Sequence, residues 1–176
     1  MEPDLRYPVG KFEFVSTLTP DQRLACIDAI SEVPRRLRAA VANLTPAQLD
    51  TPYRPGGWSV RQLVHHIADS HMNAVTRFKL ALTEDEPMVK GYDENRWAEL
   101  ADTKTPPIEL SLALLDNLHA RWVILLRSLG PEQFPRKFRH AEWGSQTVDF
   151  LLAQYCWHGK HHVAHITSLR ERNGWR

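Results

Sequence analysis

The chain has 176 residues, which at roughly 100 to 200 residues per domain is enough for one domain with its own core. Hydrophobic residues make up 43% and charged residues 24%, so the composition excludes a disordered, collagen-like or low-complexity chain. The formal net charge of +1 provides no general attraction for nucleic acid or anionic lipid, and we expect neither as a partner.

Cysteine content and hydropathy indicate the compartment. The two cysteines, Cys26 and Cys156, are too few for a disulfide framework or for a zinc site made of cysteines alone. The first residues lack the basic stretch and apolar run of a signal peptide, and the longest aliphatic and aromatic run, Trp122–Leu126, is too short to cross a bilayer. These features predict a cytoplasmic protein that does not insert into a membrane.

The first long helix is predicted to begin at Pro20. Thr19 can cap its free backbone N–H groups, and Gln22 completes a capping box. Apolar residues then recur every three or four positions over Leu24–Leu44, which is the spacing of one helix face. Pro34 lies inside this stretch, and we expect it to kink the helix.

The second long helix is predicted to begin at Val60. Ser59 and Gln62 form another capping box, and Trp58 can pack on Leu63 as a hydrophobic staple. A short helical turn at 45–49 and a Pro/Gly loop at 52–57 are expected before it, and residues 84–87 end it. Residues 88–106 are mixed in character and contain one expected short helix around Glu94–Leu100.

Two more long helices complete the pattern. One apolar stripe runs over Ile108–Leu129 and ends at Gly130 and Pro131, and another runs over Thr147–Arg172. Residues 131–146 are irregular and aromatic, which suits a loop or one short hairpin. Four amphipathic helices predict an all-α fold, a four-helix bundle with long connections, in which facing helices can direct side chains into one interior site.

The nine histidines cluster at 65–71 and 158–165. At roughly 100° per residue, His162 lies near the centre of the last apolar stripe and His158 on its flank, whereas His161 points away. Histidines four residues apart can both reach one metal at about 2.0 to 2.1 Å. Gly159 stands where the motif His-Glu-x-x-His has its glutamate, which disfavours a zincin protease. The alternative is a pair of hydrogen-bonded core histidines.

A third ligand is expected from the second long helix. His65, His66 and His71 are all candidates, because His71 falls nearest the apolar stripe and the other two flank opposite sides of it. Periodicity does not decide among them.

Three stretches resemble the YfiT family of the DinB-like superfamily, and the resemblance covers nearly the whole chain. They are Tyr7–Phe12 (YPVGKF), Gly56–Asn73 (GGWSVRQLVHHIADSHMN) and Trp157–His162 (WHGKHH). The resemblance implies one DinB-like four-helix-bundle domain over 1–176. In that superfamily a histidine follows the Trp-Ser at the helix start by seven residues and joins a His-x-x-x-His pair on the last helix. The implied metal ligands are therefore His66, His158 and His162.

The remaining histidines of the two clusters then default to supporting or surface positions, with His71 as the spare ligand. Three histidines leave coordination positions for water or substrate, and one zinc or nickel ion per chain fits neutral imidazoles. Side chains within a turn or so of a ligand are candidates for orienting the imidazoles or handling protons, although each is also an ordinary surface or capping residue. They are Asp69, Asn73, Asp149 and Gln154.

The resemblance implies a metal-dependent hydrolase that acts on a small molecule by activating water. A second reading comes from relatives in the same superfamily that resemble thiol-dependent transferases. In it, the metal presents a low-molecular-weight thiol such as bacillithiol to an electrophile, and the lack of an obvious glutamate base favours it modestly. A third is a non-catalytic metal-binding stress protein. The family also implies a homodimer, for which the aromatic segment Phe134–Trp143 is a candidate interface, or else a surface loop.

Overall fold

A computed structural model describes residues 4–13 and 17–175. Residues 1–3 lie outside the described residues. They belong to the N-terminal segment that we predict not to be a signal sequence. The prediction of a four-helix bundle is confirmed. Its long helices are α1 (Pro20–Val41), α3 (Val60–Thr83), α6 (Glu109–Arg127) and α7 (Val148–Asn173). Each of α1 and α3 packs against both α6 and α7, so the four helices enclose one interior.

The predicted helix starts are confirmed. In α1 the Thr19 backbone N–H donates to Oε1 of Gln22 at 2.8 Å, and the Gln22 N–H donates back to Oγ1 of Thr19. The same reciprocal pair starts α3. However, α1 ends at Val41 rather than Leu44, because Asn43 takes a left-handed backbone conformation with φ of 62°. Leu24, predicted on the buried stripe, is 55% exposed.

The connections contain more structure than predicted. The short turn α2 (Pro46–Leu49) is confirmed, but two separate turns, α4 (Glu94–Trp97) and α5 (Ala101–Lys104), replace the single short helix expected at 94–100. Between α6 and α7, a 3₁₀ turn over Pro131–Gln133 is followed by a hairpin, as one of the two alternatives predicted. The hairpin consists of strands β2 (Lys137–His140) and β3 (Gly144–Thr147).

A third strand, β1 (Met88–Val89), was not predicted. It pairs in parallel with β2, giving a three-stranded sheet in the order β1-β2-β3. Two residues are too few to show an alternating pattern, so the sequence carries no signal for β1. The sheet brings the long connection after α3 against the connection before α7 at one end of the bundle.

The aromatic residues of the 134–143 segment pack into the core of this chain. Phe138 is fully buried, and Phe134 is 5% exposed. Trp143 is half-buried against the same apolar cluster. Phe134 and Phe138 are therefore not available for an interface, and the homodimer stays a prediction without an assigned surface. Among the helices of the described residues, none combines the length and apolar character needed to span a bilayer.

Candidate metal centre

The structure brings His66, His158 and His162 together between α3 and α7. One ring nitrogen from each lies within 4.8 Å of the others, and all three side chains are buried or half-buried. The ring centroids of His158 and His162, one turn apart on α7, are 4.4 Å apart, and that of His66 lies 4.9 Å from His162. The Trp58 ring, just before the α3 cap, packs on His66 with centroids 4.6 Å apart.

Burial keeps the three imidazoles neutral. It lowers the pKa of His66 to about 4, with a smaller contribution from the nearby His161 ring. The pKa values of His158 and His162 also lie well below the ordinary range, because both rings are buried and face other histidines. Neutral imidazoles offer lone pairs, which is the form that binds a metal.

A relay of buried hydrogen bonds determines which nitrogen of His158 carries the proton. Nδ1 of His119, on α6, lies 2.8 Å from the backbone oxygen of Ile30, which only accepts, so this Nδ1 is protonated. In the neutral ring, Nε2 of His119 must then accept from Nδ1–H of His71 at 2.7 Å. Nε2 of His71 in turn accepts from Nδ1–H of His158 at 3.1 Å.

The end of the relay is an Nε2 lone pair on His158 that is free to bind a metal. This Nε2 lies 3.3 Å from the hydroxyl of Ser70. A hydrogen bond to the remote nitrogen is how a metal-binding histidine is usually oriented. His71, which the sequence suggests as the spare ligand, therefore supports the site through His158 and is not a member of the triad.

The donor set fits a divalent zinc or nickel ion. Bonds of about 2.0 to 2.1 Å in tetrahedral geometry require ligand nitrogens about 3.3 Å apart, which small side-chain rotations reach from the observed separations. Three neutral nitrogen ligands suit either metal, and three protein ligands leave further coordination positions open.

His161 is not a surface residue, contrary to its predicted direction. It is 7% exposed and stacks on Trp157 with ring centroids 4.2 Å apart. With His162 and His165 it forms a second group whose nitrogens lie within 4.8 Å. However, Nε2 of His161 and Nε2 of His165 already share a hydrogen bond of 3.0 Å, so these two nitrogens already have a partner. The group also shares His162 with the first triad.

His65, which precedes His66 on α3, contacts α6 and is not part of the triad. Its Nδ1 lies 2.7 Å from the hydroxyl of Ser111 on α6, and the ring is 4% exposed. The three histidines that competed at the start of α3 thus have distinct positions. His66 joins the α7 pair, His71 orients His158, and His65 ties α3 to α6.

Of the polar residues named beside the ligands, Gln154 alone lines the cavity in front of the triad, which has a volume of about 330 Å³. Asp149 forms an ion pair with Arg23 at 2.8 Å and accepts from the Leu18 backbone N–H, so its role is structural. The side-chain amide of Asn73 donates to the backbone of Asp69 in its own helix. Burial raises the pKa of Asp69 to about 6, but Asp69 is not a lining residue of the cavity.

Sequence reasoning missed Glu94, which lines the same cavity as the three histidines. It begins the short helix α4, in a connection whose path the sequence pattern does not determine. Partial burial, and then the charges of Glu142 and Asp93, raise the pKa of the Glu94 carboxyl. No spacing rule links Glu94 to a histidine, because the long connection after α3 brings it to the site.

Comparisons with known proteins agree with this architecture. A family model described as the DinB superfamily matches residues 29–166. A protein of Bacillus mycoides (strain KBAB4) named "Putative metal-dependent hydrolase" is 52% identical over 172 residues, which cover 98% of this chain and 99% of that protein. A relative of the same description from Bacillus cereus (strain B4264) is 51% identical over 172 residues, with the same coverage of both chains.

The similar solved structures include the following two. YfiT from Bacillus subtilis, described as "a probable metal-dependent hydrolase with an unusual four-helix bundle topology", matches with a TM-score of 0.95 and 49% identity, covering 98% of this chain and 99% of YfiT. TT2238, described as a four-helix bundle protein, matches with a TM-score of 0.55 and 20% identity, covering 80% of this chain and 94% of TT2238. The second likeness concerns the fold alone.

Proposed function

Because the chain belongs to the DinB superfamily and is about half identical to relatives named metal-dependent hydrolases, we propose that it hydrolyses a small molecule with one divalent metal ion held by His66, His158 and His162. Zinc and nickel are the proposed metals. The main support for the proposal is that three neutral imidazoles and a glutamate line the same cavity. A divalent ion with open coordination positions supplies Lewis acidity that lowers the pKa of water toward 7.

Glu94 is the proposed general base. Its carboxylate lines the cavity that contains the triad, where it can accept a proton from the attacking water and return it to the leaving group. Its pKa is raised, which makes it a stronger base than an ordinary surface glutamate. Because the base must be ionised, hydrolysis is expected to increase with pH as Glu94 loses its proton.

The cavity walls suit a small substrate. Trp58 and Trp157 provide flat apolar surface, whereas Asn95 and Gln154 provide amides that can donate to and accept from a substrate. A volume of about 330 Å³ accommodates a small molecule and excludes a folded polypeptide.

The structure weakens the argument for the thiol-transferase alternative, because a glutamate lies beside the candidate metal ligands. The lack of an obvious glutamate base favours that reading modestly, but Glu94 lines the cavity of the metal ligands. A thiolate nucleophile would need no such base.

The test is hydrolysis of a panel of labile esters, amides and lactones by the zinc-loaded and nickel-loaded protein without added thiol. We expect turnover that is lost in His162→Ala and that falls by about 10²- to 10⁴-fold in Glu94→Gln at unchanged metal content. Glu99→Gln is the matched control, because this exposed carboxylate pairs with Lys104 and is not a lining residue of the cavity.

Two outcomes would contradict the proposal. Consumption of an alkylating agent only when a low-molecular-weight thiol is supplied, with a thioether adduct and no hydrolysis, would identify a transferase. Inactivity of the metal-loaded protein in both assays would favour a non-catalytic metal-binding protein.

A further inference from the structure

A small second cavity of about 50 Å³ adjoins the metal-site cavity. His158, Gln154 and Glu94 line both cavities, so the two share a wall at the candidate metal ligand. The walls of the small cavity come from α3, α7, the connection at residues 91–94 and the end of β2 with the turn that follows it. Its walls contain several buried polar atoms whose hydrogen bonds are incomplete, and a buried polar group without a partner costs free energy unless a ligand or water satisfies it.

Arg77, on α3, is the first of these groups. Its side chain is 5% exposed, and its two terminal nitrogens donate to the hydroxyl of Tyr155 at 3.0 Å and to the backbone oxygen of Lys90 at 2.9 Å. Nε is buried without a partner among the described residues. No described carboxylate lies within ion-pair distance of this guanidinium. A buried arginine without an acidic partner is uncommon, because its charge is costly to desolvate.

His140, at the end of β2, is the second group. The Glu142 backbone N–H donates to Nδ1 of His140 at 3.2 Å, so in the neutral ring Nε2 carries the proton. This Nε2–H is buried and has no partner among the residues that the structure describes. Burial and the nearby Arg77 charge lower the pKa of His140, which favours the neutral ring. His140 stacks on Trp143 at 3.9 Å, and the same indole lies under the Arg77 guanidinium.

The space in front of the His140 donor depends on Gly91. A Cβ atom at this position would lie 3.3 Å from Nε2 and 3.2 Å from Cε1 of His140, tighter than an ordinary contact. Gly91 also lines the small cavity. The glycine therefore keeps open the position that an acceptor for Nε2–H would occupy.

We propose that this cavity binds a carboxylate group of the substrate. One carboxylate oxygen accepts from Nε–H of Arg77 and the other from Nε2–H of His140, while the guanidinium supplies the missing opposite charge. The carboxylates of Glu94 and Glu142 also line the cavity, but neither forms an ion pair with Arg77, whose Nε stays without a partner among the described residues.

The size of the cavity limits what enters it. About 50 Å³ accommodates a group of three or four non-hydrogen atoms, so the rest of the substrate extends past His158 into the larger cavity. The substrate class is therefore a small carboxylic acid with its hydrolysable bond close to the carboxylate. That this group belongs to a substrate rests on the proposed hydrolase function, whereas its binding does not.

The test is a titration of the full chain with sodium formate at constant ionic strength, followed by tryptophan fluorescence because Trp143 contacts both donor residues. Both the metal-loaded and the metal-free protein are used. For a ligand of three non-hydrogen atoms the dissociation constant is expected to be about 1 mM or weaker. Saturation is expected in both metal states, and formamide, which has no charge, is expected to bind at least tenfold more weakly.

Two variants locate the site. Arg77→Met removes the positive charge and the Nε–H donor. Gly91→Ala fills the space in front of His140 while keeping the Arg77 and His140 donors. Each substitution is therefore expected to weaken formate binding at least tenfold. Arg136→Met is the matched control, because Arg136 donates to two backbone carbonyls and is not a lining residue of either cavity. It is expected to bind formate like the original chain.

The results separate this proposal from the proposed function. The carboxylate site is overturned if formate does not bind saturably, or if neither substitution weakens its binding; the cavity then holds water. It is also overturned if formate binds only to the metal-loaded protein, because the anion then binds the metal. If Arg77→Met does not fold, Gly91→Ala decides. Formate binding without hydrolysis would support the carboxylate site and contradict the proposed hydrolase. Hydrolysis without formate binding would support the hydrolase and contradict the carboxylate site.

Discussion

The histidine relay behind the candidate metal ligand His158 makes a specific prediction for His71→Leu. His71 is fully buried, accepts from Nδ1–H of His158 at 3.1 Å and donates to His119 at 2.7 Å. Leucine fills most of the space but neither accepts nor donates. His158 then loses the hydrogen bond that sets its tautomer and orientation.

The loss of a hydrogen bond to a metal-ligating histidine typically weakens metal binding by about 10- to 100-fold, or about 1.4 to 2.8 kcal/mol. We expect a change of this size in the zinc dissociation constant of His71→Leu, measured by competition with a chromophoric chelator. His119→Leu, one step further from the metal, is expected to have a smaller effect, since His71 remains to accept from His158.

His65→Leu is the matched control. His65 is on the same helix, is 4% exposed and also has a hydrogen bond with a side chain of α6, but it is outside the relay. Both variants are expected to be less stable, and only His71→Leu is expected to bind zinc more weakly. Equal zinc affinity in the two variants would show that the hydrogen bond between His71 and His158 does not affect metal binding.

Three further predictions concern stability. A Cβ at Gly159 would lie 2.5 Å from Cγ2 of Val33, so Gly159→Ala is expected to lower the free energy of unfolding by about 1 to 3 kcal/mol in urea denaturation, and an unchanged midpoint would contradict the close α1–α7 contact. Asp149→Ala leaves the half-buried Arg23 without its charged partner, so we expect a loss of about 1.5 to 3 kcal/mol of stability at unchanged zinc affinity; weaker zinc binding would instead assign Asp149 to the site. Burial lowers the pKa of His66 and His119 to about 4 from 6.5. Between these values the unfolded chain binds more protons, so the stability of the metal-free protein is expected to fall as pH decreases from 6.5 toward 4, by about 1.4 kcal/mol per pH unit for each group; equal stability at pH 7 and pH 5 would contradict this.

The four long helices were predictable because each carries local signals at its start and an apolar stripe along its length. Thr19 and Ser59 cap helices in the structure with the partners that the sequence spacing indicates. Such signals act within one turn, so they are readable without knowledge of the fold. The α7 histidine pair was readable for the same reason, since residues four apart on a helix are neighbours.

Long-range features were not predictable from these rules. Periodicity did not distinguish His66 from its neighbours in α3, and the choice depended on a family resemblance. Glu94 reaches the metal cavity through an irregular connection. His161 is buried because Tyr7, from the N-terminal segment, and Trp157, one turn earlier on α7, cover a position that helical phase places off the stripe. The polar cavity around Arg77 likewise depends on β1 and β2, whose pairing joins segments about 50 residues apart.

Metal content shows whether His66, His158 and His162 hold the ion, because the two histidine groups share only His162. The double variants His66→Ala/His158→Ala and His161→Ala/His165→Ala each remove two histidines from one group. We expect one divalent ion per chain in the original protein and in the second variant, with three imidazole nitrogens at about 2.0 to 2.1 Å by X-ray absorption, and no bound metal in the first variant. Metal retained by the first variant and lost from the second would contradict the account.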